Sequence, residues 1–235
     1  MSIPPLGQCQ YYTGFRVKTR FLPTYLVFTA CDLHALFSSN IQLLLKYADD
    51  TYIYNIGYLI VPAPNSALIQ QELDQVSQWA NANNLKFTSS KSCEMVVHLP
   101  TNKHLNLPPH VPNLSRVDQI TALGITFDNT LSGGPHVNLI TAKAAASFYA
   151  PKTLKSHGLS GPALWDVTRA TLLALITYAS PSWRGFISAD EANKLQTILN
   201  KAKRSNFLPS DFSALEELFD SADSSACTTP TLYNK

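Results

Sequence analysis

Two adjacent carboxylates, Asp49 and Asp50, lie inside the apolar segment LLLKYADDTYIY. An unpaired carboxylate is costly to remove from water, so acids rarely interrupt such a segment without a compensating cation. The apolar and aromatic residues of 43–47 and the β-branched and aromatic residues of 51–61 predict two strands, and the polar residues between them predict a tight turn. We therefore expect a β-hairpin with Ala48, Asp49 and Asp50 at its tip.

Carboxylates at a hairpin tip suit magnesium, a hard cation that commonly binds through one or two carboxylates plus substrate phosphates. Two such ions can activate an attacking 3′-hydroxyl and stabilise a leaving pyrophosphate, and a third carboxylate is normally needed to bridge them. Asp32 is a candidate for that ligand, although an ordinary loop or helix-end acid is the stronger interpretation. For Asp49 and Asp50, the alternative to a metal site is a polar β-turn.

The segment after the hairpin combines a helix with further strands. Apolar residues at helical spacing predict the helix, which Ser66 can cap; they are Leu68, Leu73, Val76, Trp79 and Ala80. Strand candidates follow at Leu85–Phe87 and Cys93–His98, then a proline-rich loop at 100–115 and a strand–turn unit at 120–131 that contains Gly124. His98, His104 and His110 lack zinc spacing, and we interpret them as loop residues.

Beyond Gly133-Gly134-Pro135 the sequence becomes helical. The last strong helix has Ser188 as its cap and acids Asp190 and Glu191 in its first turn. Its last turn is basic, which complements the helix dipole or supplies phosphate contacts; the residues are Lys201, Lys203 and Arg204. The Ser-, Ala-, Asp- and Thr-rich tail, residues 209–235, is predicted to be largely disordered. Trp79, Trp165 and Trp183 are interpreted as core anchors.

Composition bounds the function. The chain has 235 residues, of which 45% are hydrophobic, and a net charge of +2, so any nucleic-acid surface must be local. Four widely spaced cysteines form no CxxC pair, which argues against a zinc knuckle and a disulfide scaffold. Without a signal peptide or a sufficiently long apolar run, we expect a soluble intracellular protein, cytoplasmic or nuclear, with no membrane partner.

Four ordered motifs over residues 43–205 resemble non-LTR (LINE-type) retrotransposon reverse transcriptases. YADD between apolar strands resembles their catalytic signature, and SSKSCEMV resembles their segment with a palm lysine, here Lys91. ALGITFDNTLSGGPHV is similar to the segment that leads into their thumb, and LLALITYASPSWRG resembles a thumb helix that ends in Tyr-x-x-Pro-x-Trp. The spacing of Leu68, Asp74 and Trp79 looks like the helix after the catalytic hairpin.

The resemblance implies a function and a set of site residues. RNA-directed DNA polymerisation would proceed by two-metal nucleotidyl transfer, with Mg²⁺ as cofactor and an RNA template and DNA primer as partners. Asp49 would ligate metal and Asp50 would support it, while Lys91 would lie near the triphosphate and Tyr47 near the primer end. The cations that would line a thumb surface toward duplex phosphate are Lys143, Lys152, Lys155 and Arg169. The alternatives are a solvated turn lysine for Lys91 and strand packing for Tyr47.

The chain also departs from the family pattern. The strand that bears the family's first metal-binding aspartate and the fingers have no counterpart, and the Gly-x-Pro-Gln-Gly segment is absent. Gly133 stands where the family usually has Trp. We therefore expect an unpaired sheet edge beside the hairpin, which residues 1–40 would cover poorly.

The predicted fold is α+β: a partial polymerase palm, with the hairpin and a helix on a small antiparallel sheet, followed by an α-helical thumb. The predicted divisions are a degenerate N-terminal segment (1–40), a partial palm (41–130), a thumb-like region (131–208) and the tail. Two hypotheses remain. One is a truncated reverse-transcriptase-derived protein, which a fingers-bearing chain could complete. The other is a catalytically inactive remnant that at most binds nucleic acid or protein.

Overall fold

The computed structural model of the chain describes residues 10–18, 42–47, 50–58, 66–82, 89–98, 107 and 109–227. It divides the chain into two compact units. The first comprises Met1–Ala122 with Asp128–Leu131, and the second comprises Leu123–Phe127 with Ser132–Lys235. Sheet and helix are both present, so the expected α+β class is confirmed.

A five-stranded sheet forms the centre of the first unit. Its strands are β1 (Gln10–Lys18), β2 (Gln42–Tyr47), β3 (Asp50–Tyr58), β4 (Cys93–Val97) and β5 (Ser115–Arg116), in the order β2-β3-β1-β4-β5. The β2–β3, β3–β1 and β1–β4 pairs are antiparallel, whereas β4 and β5 are parallel. The sheet is therefore mixed at one edge, where an antiparallel sheet was predicted.

The hairpin and the helix that follows it form where the sequence predicts them. β2 pairs with β3 from Gln42 opposite Asn55 to Tyr47 opposite Asp50, which confirms the hairpin. Helix α1 covers Ser66–Ala82. Its residues Leu73, Val76 and Ala80 are buried, because their spacing places them on one helical face. The strand candidate Leu85–Phe87 lies outside the described residues.

The hairpin is paired on its β3 side, so the expectation that residues 1–40 would leave that side uncovered was wrong, whereas β2 is the outermost strand of the sheet that the structure describes. All nine residues of β1 pair with β3, from Gln10 opposite Tyr58 to Lys18 opposite Asp50. The segment QYYTGFRVK is rich in aromatic and β-branched residues, which favour a pleated, half-buried position. Sheet pairing on both sides of β1 outweighs the turn-forming character of the residues around it.

A two-residue turn links β6 (Gln119–Ala122) to β7 (Ile125–Asp128). Leu123 and Gly124 form this turn with φ of 49° and 87°. Positive φ at both central residues is the requirement of a type I′ hairpin turn, and glycine meets it without steric cost. The strand–turn unit predicted around Gly124 is thus confirmed.

Helices build the second unit. They are α2 (Gly134–Ser147), α3 (Tyr149–Ser156), α4 (Pro162–Thr168), α5 (Ala174–Thr177), α6 (Ala189–Arg204) and α7 (Leu215–Cys227), and a π-helical segment at Arg169–Leu173 joins α4 to α5. Their apolar faces enclose one core in which Trp183 is fully buried. Trp183 is thus the core anchor that was predicted, whereas Trp79 and Trp165 are only partly buried.

The beginning of α6 is a complete capping box. The Ser188 hydroxyl accepts a hydrogen bond from the Glu191 backbone N–H, and the Glu191 carboxylate accepts one from the Ser188 backbone N–H. This reciprocal pair satisfies two amides that the first helical turn would leave free. The predicted cap and the basic last turn of α6 are both confirmed.

The C-terminal tail is more ordered than expected, at least as far as Cys227. Helix α7 occupies Leu215–Cys227, and its residues Leu215 and Phe219 are buried in the core of the second unit. Arg184 donates a 2.9 Å hydrogen bond to Asp220 and lies 2.8 Å from the carboxylate of Asp223. These tertiary contacts offset a composition that on its own indicated disorder. Residues 228–235 lie outside the described part of the chain.

Among the residues that the structure describes, no helix is both long and apolar enough to cross a membrane.

Candidate functional site

Asp50, the second of the two hairpin acids, lies where β2 and β3 meet at one end of the sheet. Asp50 is the first residue of β3, and it closes the β2–β3 pairing opposite Tyr47. Asp49 and Ala48 lie outside the described residues, so the predicted tip is defined by the strands that enter and leave it. The sheet thus holds the backbone of Asp50 in a fixed position next to β2.

The neighbouring strand brings basic residues to this end of the sheet. Lys18 is the register partner of Asp50, and Arg16 lies opposite Tyr52 on β3 and Cys93 on β4. Residues directly opposite each other in an antiparallel pair are close neighbours. The residue type nearest to Asp50 on β1 is therefore a lysine, where the family resemblance calls for a strand with an aspartate.

Lys91 lies at the same end of the sheet, because it closely precedes β4. It is exposed, and it lies in a single 3₁₀ turn, Ser89–Lys91, just before β4 begins. Because Cys93 pairs with Arg16, the start of β4 runs beside the last residues of β1. The fold thus gathers the backbones of Lys18, Asp50 and Lys91, which are far apart in the sequence, at one sheet end.

The ligand set for two magnesium ions is incomplete among these residues. The described part of the chain contains no group of three or more His, Cys, Asp or Glu that could hold a metal ion. Asp49 and Asp32 lie outside that part. Protonated lysine and arginine side chains do not bind metal cations. Arg16 and Lys18, the charged residues of β1, therefore add no ligand to a two-ion site.

The strand next to β1 also carries a carboxylate, Glu94, and its contacts give it a structural role. Glu94 on β4 is buried, and its carboxylate lies 2.8 Å from Nε of Arg116, its register partner on β5. It also accepts 3.4 Å hydrogen bonds from the Val111 backbone N–H, and it lies 3.3 Å from Nδ1 of His110. This cluster was not predicted; an acid inside the apolar strand CEMVV is the signal that could have revealed it.

The cations predicted for a thumb surface differ in how far they are engaged within the chain. Lys155 donates a 2.8 Å hydrogen bond to the Ser205 carbonyl and lies 5.7 Å from the centroid of the Phe207 ring. Arg169 pairs with Asp166 at 3.2 Å. Lys152 and Lys143 are exposed. Lys155 and Arg169 are therefore engaged by contacts within the chain. Contact of any of the four cations with duplex phosphate stays a prediction.

Comparison with known proteins adds no family assignment. A scan against protein-family models, a search of curated proteins and a search of solved structures each found no match to this chain.

Proposed function

We propose that the chain derives from a non-LTR reverse transcriptase and comprises the later part of a palm followed by a thumb. The support is the order of the four motifs, together with an α+β arrangement in which a β-hairpin, a helix and a further strand precede a helical unit. The family activity is RNA-directed DNA polymerisation with Mg²⁺, an RNA template and a DNA primer. Of its machinery, this chain keeps Asp49, Asp50 and Lys91.

The observation that carries the second half of the proposal is the pairing of Lys18 with Asp50. A lysine at this register position brings a positive charge to the hairpin but supplies no oxygen ligand for a metal ion. A positive charge there also raises the energy of a divalent cation at the same place. We infer that the isolated chain does not transfer nucleotides, because β1 places a lysine, and not a carboxylate, at the register position opposite Asp50.

A second candidate function is that of a binding module without catalysis. Arg16, Lys18 and Lys91 come to one end of the sheet, and clustered basic residues favour contact with nucleic-acid phosphates. Such contacts depend on salt, so this candidate requires RNA or DNA binding that weakens steeply between low and physiological ionic strength.

Substituting Lys18 tests directly whether the lysine at this position prevents metal binding at the hairpin. Mn²⁺ shares the oxygen ligands of Mg²⁺ and can be followed by electron paramagnetic resonance. We expect the native chain to bind Mn²⁺ weakly, and Lys18→Asp to bind it at least about tenfold more tightly, because site affinity rises with the number of ligand charges. Adding Asp50→Asn to Lys18→Asp should abolish the gain.

Lys18→Asn is the matched control, because it removes the positive charge without supplying a carboxylate. It should recover only a small part of the gain seen with Lys18→Asp. Binding by the native chain that is as tight as that of Lys18→Asp, and that disappears in Asp50→Asn, would contradict the proposal.

A further inference from the structure

The second unit contains a pocket that has no role in the proposed reverse-transcriptase function. Its volume is about 470 Å³, and its walls are mainly leucine, isoleucine and alanine side chains from α2, α5 and the β6–β7 turn. Four polar residues also line it: His136, Lys143, Thr171 and Tyr178. Thr171 belongs to the π-helical segment, a distortion often found at functional sites. An apolar pocket with a few convergent polar groups is the usual form of a small-molecule site.

His136 is the most unusual group in the pocket. Its side chain is only 4% exposed, and within the described part of the chain neither ring nitrogen has a hydrogen-bond partner. Buried polar atoms in folded proteins nearly always have a partner, so this ring has unused hydrogen-bonding capacity. Burial, and then the nearby charge of Lys143, lowers the pKa of His136 below its usual 6.5. The neutral ring offers one N–H donor and one acceptor.

The ring is held in place by its neighbours. His136 packs edge-to-face on Trp183, with 5.0 Å between the ring centroids. The Trp183 indole N–H donates to the Tyr178 carbonyl at 3.0 Å, and the Tyr178 hydroxyl donates to the Leu123 carbonyl at 3.1 Å. The tyrosine ring lies close enough to Gly124 that an added Cβ would stand 3.2 Å from it. These contacts fix one wall and the imidazole relative to each other.

Charge and exposure at the mouth select the kind of ligand. Lys143 is exposed on α2, two turns after His136, and none of the described residues that line the pocket is acidic. Leu123, Leu139 and Tyr178 expose 44%, 37% and 55% of their side chains. The mouth therefore combines apolar surface with a single positive charge, which suits an amphipathic anion.

We propose that this pocket binds a small organic anion with an aromatic or branched apolar body. The apolar body covers the leucine and isoleucine walls. The carboxylate of the ligand accepts a hydrogen bond from the His136 N–H and is balanced by the Lys143 ammonium group. The site is independent of the hairpin acids, so the proposal does not rest on the polymerase ancestry.

Phenylbutyrate and its uncharged analogue phenylbutanol separate the two parts of this recognition. Isothermal titration of the full chain should show phenylbutyrate binding at least about fivefold tighter than phenylbutanol, since only the anion gains the charge-assisted contacts. Lys143→Gln should weaken phenylbutyrate by about the same factor and leave phenylbutanol unchanged. His136→Phe keeps an aromatic ring against Trp183 and should weaken phenylbutyrate by about tenfold, because both hydrogen-bonding nitrogens are lost.

Lys152→Gln removes an exposed lysine on α3 outside the pocket, and it is the matched control for Lys143→Gln. Binding in this variant should equal that of the native chain. In NMR spectra, phenylbutyrate should shift the His136 ring resonances before those of other histidines. Absence of phenylbutyrate binding, equal affinity for the alcohol, or equal losses in Lys143→Gln and Lys152→Gln would each overturn the proposal. Circular dichroism of every variant identifies any loss of binding caused by unfolding.

Discussion

Replacing Trp183 with alanine is expected to lower the free energy of unfolding of the second unit by roughly 3–5 kcal/mol. The indole is fully buried, and it packs edge-to-face against Phe219 with 5.5 Å between centroids, in addition to its contact with His136. Its N–H also bonds the Tyr178 carbonyl. Removing the side chain therefore leaves a cavity between α2 and α7 and an unpaired backbone carbonyl.

The loss can be measured by urea denaturation followed by circular dichroism, with amide hydrogen exchange in α6 as a local readout. Trp165→Ala is the control, because that indole lies in the same unit but is only partly buried. This substitution should lower the free energy of unfolding by only about 1 kcal/mol, the usual value for a substitution outside the packed core. Equal destabilisation by the two substitutions would mean that Trp183 does not anchor the core.

Replacing Arg116 with alanine should destabilise the first unit by a similar amount, roughly 3–5 kcal/mol, because it leaves the buried Glu94 carboxylate without its cation. Arg116 also donates a 3.0 Å hydrogen bond to the Pro109 carbonyl, so the loop before β5 would lose an attachment to the sheet. Hydrogen exchange of the amides of Cys93–Val97 reports the effect where it arises.

The double variant Glu94→Met with Arg116→Met separates the cost of an orphaned charge from the value of the pair. Two apolar side chains of similar length remove the charge and the cation together, so we expect the double variant to regain most of the stability lost in Arg116→Ala. A double variant that is less stable than Arg116→Ala would show that the ion pair itself stabilises the fold. The interaction is then worth more than its desolvation cost.

The sequence was sufficient to predict the elements that depend on residues close together in the chain. The hairpin follows from the leucine-rich run before Asp49 and the β-branched and aromatic run after it, and α1 follows from the spacing of Leu73, Val76 and Ala80. The capping box of α6 follows from Ser188 and Glu191, three residues apart. In each case neighbouring residues carry the information, because hydrogen bonds or faces are formed within one segment.

Elements stabilised by distant partners were missed. β1 is flanked by turn-forming residues, and it becomes a strand because β3 and β4 pair with it on its two sides. α7 has the composition of a disordered tail, but Phe219 packs on Trp183 and Arg184 binds two of its acids. Strand order in a sheet is a tertiary property, so the approach of Lys18 to Asp50 could not be predicted from either segment.

Two of the motifs that carried the family resemblance meet in the second unit. Leu123 and Gly124 of the strand–turn motif contact Tyr178 of the thumb-helix motif, and His136 contacts Trp183. The sequence singled out these residues by their order alone. The structure shows why these residue types occur at these positions: Tyr178 holds the turn, and Trp183 holds the His136 ring.

Primer extension on an RNA template with Mg²⁺, comparing the native chain with Asp49→Asn, tests most directly whether the hairpin acids belong to a working metal site. Both proteins must first be shown to be folded by circular dichroism. Because β1 supplies Lys18 rather than a carboxylate opposite Asp50, we expect no incorporation by either protein. Incorporation by the native chain that is lost in Asp49→Asn would contradict this account and would mean that a complete metal site exists.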